Sequence, residues 1–195
     1  MEKLLTTPSQ TIGPFFAYSL TAEQYGYNFT SIVNDQLLTG ETTAERICIT
    51  GKVFDGSGKT IGDAMIELWQ ADENGHYRQP AIEKTNDGFI GFGRMGTGTS
   101  PGHSFNFYTI KPVALNGQAP HINVILFMRG SLHMLTTRFY FSDEHELNDT
   151  DPLLNSVEPG RRSTLIAHKK MAGGEPVYEF NIFMQGENET VFFKL

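Results

Sequence analysis

Arg46-Ile47-Cys48-Ile49-Thr50-Gly51-Lys52-Val53 is the stretch on which the fold class turns. Ile47, Ile49, Gly51 and Val53 alternate with Arg46, Cys48, Thr50 and Lys52, the period-two pattern of a strand with one face buried. Asp55-Gly56-Ser57-Gly58 then reads as a turn, residues 64–69 as the next strand, and Asp72-Glu73-Asn74-Gly75 as a second turn whose Asn-Gly pair favours a hairpin. Residues 87–102 read as a glycine-rich loop. Further strands are expected at Ser104–Ile110, 122–127, 132–141, 177–185 and 191–195. Residues 149–170 are the one place where helical turns are expected. Many short strands with turn signals between them make an all-β, mainly antiparallel β-sandwich.

The 195 residues suffice for one domain with a real core, or one domain plus an arm. Twenty glycines, nine prolines and fifteen phenylalanines fit a turn-rich, aromatic-filled sandwich better than a helical fold. Residues 1–44 keep no sustained period, and Pro8 and Pro14 disfavour helix, so they are expected to form an extended arm ahead of a sandwich domain at 45–195. Ile12, Phe15, Phe16 and Tyr18 are too apolar for a tail with nothing to bind, and the arm is expected to pack on a partner chain. The net charge of −7, with no run of Lys or Arg, argues against nucleic acid and anionic membranes as main partners. Apolar stretches fall far short of the ~20 residues of a spanning helix. The opening Met-Glu-Lys-Leu-Leu, soon broken by Thr-Thr-Pro, does not read as a signal peptide. With Cys48 as the only cysteine, no internal disulfide is possible and the cytoplasm is the expected location.

The chemistry is concentrated at His121-Ile122-Asn123. Alternate strand residues share a face, so His121 and Asn123 point the same way. Two histidines there would make half of a metal site; a histidine and an amide do not. His121 alone fits a hydrogen-bonded strand histidine. His76, His103, His133, His145 and His168 show no paired ligand spacing and are read as surface or packing residues. Trp69 is expected in the core and the acidic residues of the 72–75 turn in solvent. On pattern alone the chain would also suit a transthyretin-like or carbohydrate-binding sandwich.

A set of short segments, in order and spacing, carries more. They are Thr7-Pro8-Ser9-Gln10-Thr11 with Gly13-Pro14-Phe15, Gly51 with Val53-Phe54-Asp55-Gly56, Glu67-Leu68-Trp69-Gln70-Ala71-Asp72 with Asn74-Gly75, Gly91-Phe92-Gly93-Arg94, Thr109-Ile110-Lys111-Pro112, Ala119-Pro120-His121-Ile122-Asn123 and Thr137-Arg138-Phe139-Tyr140-Phe141. Together they resemble the intradiol ring-cleavage dioxygenases. The runs Asp151-Pro152-Leu153-Leu154-Asn155-Ser156 and 185–193 extend the likeness to the non-catalytic alpha chains of that family, over nearly all of residues 7–195.

The resemblance implies a β-sandwich, and a complex that cleaves protocatechuate with O2 to 3-carboxy-cis,cis-muconate. It implies a homologous beta chain that holds Fe3+ through two tyrosines and two histidines, within a higher hetero-oligomer of alpha-beta protomers. Of those four ligand positions only His121 is filled here. Asn123 stands at the second histidine, and Val113, Ala114 and Leu115 stand where one tyrosine belongs. Residues 79–87, where the other belongs, hold no tyrosine. Gln118 replaces an arginine three residues before the first histidine. No catalytic or metal-binding residue is therefore expected in this chain, and Gln118, His121, Asn123, Arg138 and Tyr140 would line a vestigial pocket. Arg138 would supply charge in place of iron, or make an exposed cross-strand salt bridge. The resemblance also implies that Thr11, Gly13, Pro14, Phe15 and Arg129 reach the partner's pocket, Phe15 standing where a tyrosine is usual. A single-chain dioxygenase with an unusual ligand set, which would be coloured, and a plain binding sandwich stay open.

Overall fold

The computed structural model describes residues 10–13, 15–78 and 88–194 of the chain. Among the described residues the strands are β1 (Arg46–Phe54), β2 (Met65–Trp69), β3 (Phe92–Gly96), β4 (Ser104–Ile110), β5 (His121–Phe127), β6 (Leu135–Phe141), β7 (Ile166–Ala172), β8 (Glu175–Glu179) and β9 (Ile182–Phe183). They follow one path, β3-β2-β5-β6-β7-β8-β1-β4, with β9 beside β1. The sheet curls into a sandwich whose end strands β3 and β4 approach each other. The expected all-β class holds, although β7 on β6, and β8 and β9 on β1, are parallel pairings.

The alternation in β1 is real: Ile47, Ile49 and Val53 are buried while their neighbours are not. They meet Phe105 and Phe107 of β4, Ile66 and Leu68 of β2, Ile122, Val124 and Leu126 of β5, and Phe139 and Phe141 of β6. Each such side chain removed from water contributes about 1.5–3 kcal/mol, so this inner layer dominates the driving force. The end of β6, at residues 139–141, is buried on both faces. Its Tyr140 points outward into a second cluster with Ala119, Leu154 and Leu165.

Several expectations need correction. The supposed loop at 87–102 contains β3, and the supposed helical stretch at 149–170 ends in the first residues of β7. That stretch does contain α3 (Pro152–Ser156) and a 3-10 turn at Pro159–Leu165, but α1 (Phe16–Leu20) and α2 (His145–Asn148) lie elsewhere. Residues 132–134 precede β6. Near the C-terminus there is only an isolated bridge from Phe193 to Thr136 among the described residues. Within the first 44 residues, Val33, Leu37 and Leu38 are buried against this chain's own domain. Leu37 joins the main core, and Gln36 and Leu38 bridge to Tyr108 and Phe89.

Candidate functional site

Strands β2, β5 and β6 turn one face to the core and the other outward. Their register sets Trp69 opposite Asn123 and Asn123 opposite Arg138, while His121 lies opposite Tyr140. The outer face is thus a row of indole, amide and guanidinium beside an imidazole and a phenol. Trp69 was expected in the core. It is 42% exposed, because Leu68 and Ile66 take the inward positions. Asp72, expected in solvent, is buried. It accepts from the backbone N–H of Asn74 at 2.8 Å and His76 at 2.9 Å, and pairs with Arg78 at 2.9 Å. Burial works against its ionisation, but these bonds win and hold its carboxyl below the usual range.

The turn capped by Asp72 returns the chain through an Ala71–Tyr77 bridge. Tyr77 therefore lies edge-on to Trp69, with ring centres 4.9 Å apart, and its hydroxyl enters the recess. Asn123 Nδ2 donates to that hydroxyl at 3.0 Å, and His121 Nε2 lies 3.3 Å from it. His121 Nδ1 lies 2.8 Å from the Ala119 carbonyl, which can only accept. That contact fixes the proton on Nδ1 and leaves Nε2 to accept from Tyr77. Burial lowers the His121 pKa, and the nearby Arg138 charge lowers it further against the Ala119 contact, so the ring is neutral at neutral pH. Tyr77 was not singled out from the sequence. The Asn-Gly turn was the available signal, since a hairpin there carries residue 77 back beside residue 69.

Arg138 Nη1 donates to Gln118 Oε1 at 2.6 Å. It has no ion-pair partner among the described residues, so the cross-strand salt bridge is absent there. Gln118 is presented by an Asn116–Gly117 turn closed by two bonds between Leu115 and Gln118, at 2.9 and 3.0 Å. Tyr140 donates to Asp151 Oδ1 at 3.0 Å. Burial and the Asp151 charge push its phenol well above the usual range. Asp151 also accepts from Ala119 N–H at 2.8 Å and, as the N-cap of α3, from Leu154 N–H at 2.7 Å.

Of the other predicted residues, Arg129 and Thr11 meet at the β5–β6 turn. Arg129 donates through Nε to Asp63. The next residue, Gly130, donates its N–H to Thr11 Oγ1 at 2.8 Å. The structure thus joins the arm and Arg129, which are 118 residues apart in sequence. Gly13 is exposed and its carbonyl accepts from Phe16 N–H at 3.4 Å. Phe15 is 72% exposed; Pro14 lies outside the described residues. Beyond Phe15, rings run from Tyr18 to Tyr25 and Tyr27 and on to Phe29, and Ile32 is 92% exposed.

Residues 20–186 match the protein family described as Dioxygenase. Over 195 residues the chain is 44% identical to the protocatechuate 3,4-dioxygenase alpha chain of Burkholderia cepacia, covering 99% of both chains. It is 30% identical over 183 residues to the beta chain from that organism, covering 87% of this chain and 77% of the relative. Among solved structures, the dioxygenase domain of a carbohydrate-binding fusion from Streptomyces sp. SirexAA-E superposes with a TM-score of 0.59 at 26% identity, covering 95% of this chain and 99% of that one. The chain belongs to the intradiol dioxygenase family.

Intradiol dioxygenases are non-haem iron enzymes. The groups on this face do not fit a ferric ion. One imidazole nitrogen and one phenol are engaged with each other, the Asn123 amide donates toward them, and the second phenol is kept protonated. A guanidinium stands in the same row. Among the described residues no group of three His, Cys, Asp or Glu side chains converges on one point, and no helix is long and apolar enough to cross a membrane.

Proposed function

We propose that this chain is the non-catalytic subunit of a two-chain dioxygenase that cleaves protocatechuate with O2 to 3-carboxy-cis,cis-muconate. In this reading Fe3+ is held by two tyrosines and two histidines of a homologous beta-type partner, within a cytoplasmic assembly of alpha-beta pairs. One observation carries it. The donors of the His121–Asn123 face are consumed within the chain, while at the Thr11–Arg129 edge Arg129 is paired only through Nε and Phe15 is exposed. The family relationship to both alpha and beta chains supports the pairing.

Iron in the partner would act as a Lewis acid on the bound catechol. Arg129 supplies positive charge for the carboxylate of protocatechuate in a chain of net charge −7, and a guanidinium suits that group in shape. Thr11, Gly13, Pro14 and Phe15 form the adjoining wall. The outer-face residues Gln118, His121, Asn123, Arg138 and Tyr140 keep a vestigial pocket, where the Arg138 charge takes the place of the cation.

The test is steady-state kinetics of the complex with Arg129→Ala at equal iron content, on protocatechuate and on catechol, which lacks the carboxylate. Loss of a direct charge-assisted contact should cost about 1–3 kcal/mol in kcat/KM on protocatechuate and far less on catechol. Equal losses on both substrates would assign Arg129 to folding or assembly.

A further inference from the structure

We propose that Asp63 is a positioning residue for substrate recognition: it holds Arg129 by Nε, leaving the terminal nitrogens free to take the carboxylate as a fork. This rests on the reading that Arg129 borders the partner's pocket. Asp63 lies in the turn before β2, and its carboxylate engages Arg129 Nε alone. Among the described residues, Nη1 and Nη2 of Arg129 make no hydrogen bond. Arginine binds carboxylates best through two parallel N–H groups, and Nη1 with Nη2 is one such pair. An untethered arginine must lose side-chain freedom each time it makes that contact; one held at Nε has lost much of it already.

The backbone beside each member of the pair is held. A Cβ on Gly62 would lie 2.8 Å from the His103 ring, so the turn bearing Asp63 is pressed against its neighbour. On the other side, the Gly130 N–H ties Thr11 to the turn that carries Arg129. The arm and the guanidinium therefore reach the partner as one preassembled piece.

Simple electrostatics makes the opposite forecast, which makes the idea testable. Asp63 is a negative charge beside an anion site, and removing it should by Coulomb attraction alone tighten protocatechuate binding. The positioning role weakens it. The experiment compares the complex carrying Asp63→Ala, Asp63→Asn, Arg129→Ala and the Asp63→Ala/Arg129→Ala double variant, on protocatechuate and catechol at equal iron content. Asp63→Ala should raise KM for protocatechuate about two- to fivefold, the size expected from an exposed pair, with kcat little changed. Asp63→Asn, which keeps an oxygen acceptor for Nε, should restore most of the loss. Asp63→Ala should add nothing once Arg129 is gone. A KM that falls or stays level in Asp63→Ala, while Arg129→Ala still raises it, would overturn the role of Asp63 alone. So would an Asp63→Asn variant no better than Asp63→Ala, or equal losses on both substrates. If Arg129→Ala itself leaves the preference between substrates unchanged, the reading of Arg129 fails and this proposal with it.

Discussion

The recess over β2, β5 and β6 and the edge around Arg129 treat their polar groups in opposite ways. In the recess, Asn123 serves Tyr77, Tyr77 serves His121, Arg138 serves Gln118 and Tyr140 serves Asp151. At the edge, two guanidinium nitrogens have no partner among the described residues, and a ladder of rings from Phe15 to Phe29 stands largely in water. The difference separates two uses of surface polar groups. A face that has satisfied its own donors contributes to stability. A face that leaves charge and apolar area open needs a second molecule.

The sharpest way to break this contrast is at Asp151. It is fully buried and accepts three hydrogen bonds, two of them from backbone N–H groups. Asp151→Ala should destabilise the fold by roughly 3–5 kcal/mol in urea unfolding, because buried donors are left without acceptors. A loss under ~1 kcal/mol would mean that the recess is not the tied structure described here. At the edge the effect should appear in association. Tyr27→Ser or Phe29→Ser should each weaken binding to the partner chain by about 1–3 kcal/mol if the ring is covered there. Stability of the free chain should move by no more than ~0.5 kcal/mol. Sedimentation of the mixed chains separates the two quantities.

The smallest effect concerns pH. Burial depresses the folded pKa of His121 below its unfolded value, so the neutral ring contributes stability above about pH 6.5, and that stability is lost as pH falls through the folded pKa. Protonation would turn Nε2 into a donor facing the proton of the Tyr77 hydroxyl. Chain stability should therefore decline on acidification below about pH 6.5, and His121→Gln should flatten that slope. Thermal melts of both proteins across that range decide it.

The parts legible in the sequence were those fixed by local pattern. Strand β4 falls at the expected residues, and the alternation of β1 reports which face is buried. Strand β3 was hidden because Phe92-Gly93-Arg94-Met95-Gly96 has weak strand preference. Its pairing with β2 and the Arg94–Glu67 ion pair at 2.7 Å hold it in place. A Cβ on Gly93 would lie 2.3 Å from Leu37 Cδ1, so the glycine that lowers the propensity is required by a residue 56 positions earlier. Strand β7, rich in Lys, Ala and Met, has good helix formers and becomes a strand through its partner β8. At the site, the shared face of His121 and Asn123 followed from strand geometry. The Tyr77 hydroxyl between them and the Thr11–Gly130 contact did not, because both depend on how distant turns bring the chain back.

We propose that the outer face of β2, β5 and β6 holds no iron and that the Arg129 edge serves a partner that does. Anomalous diffraction at the iron absorption edge, on crystals of the assembled two-chain protein, tests both halves at once. The expected map shows one iron peak per pair of chains, among tyrosines and histidines of the partner, with Arg129 at the rim of that pocket. A peak between His121 and Tyr77 of this chain, or an iron site in the partner with Arg129 and Thr11 remote from it, would contradict the account.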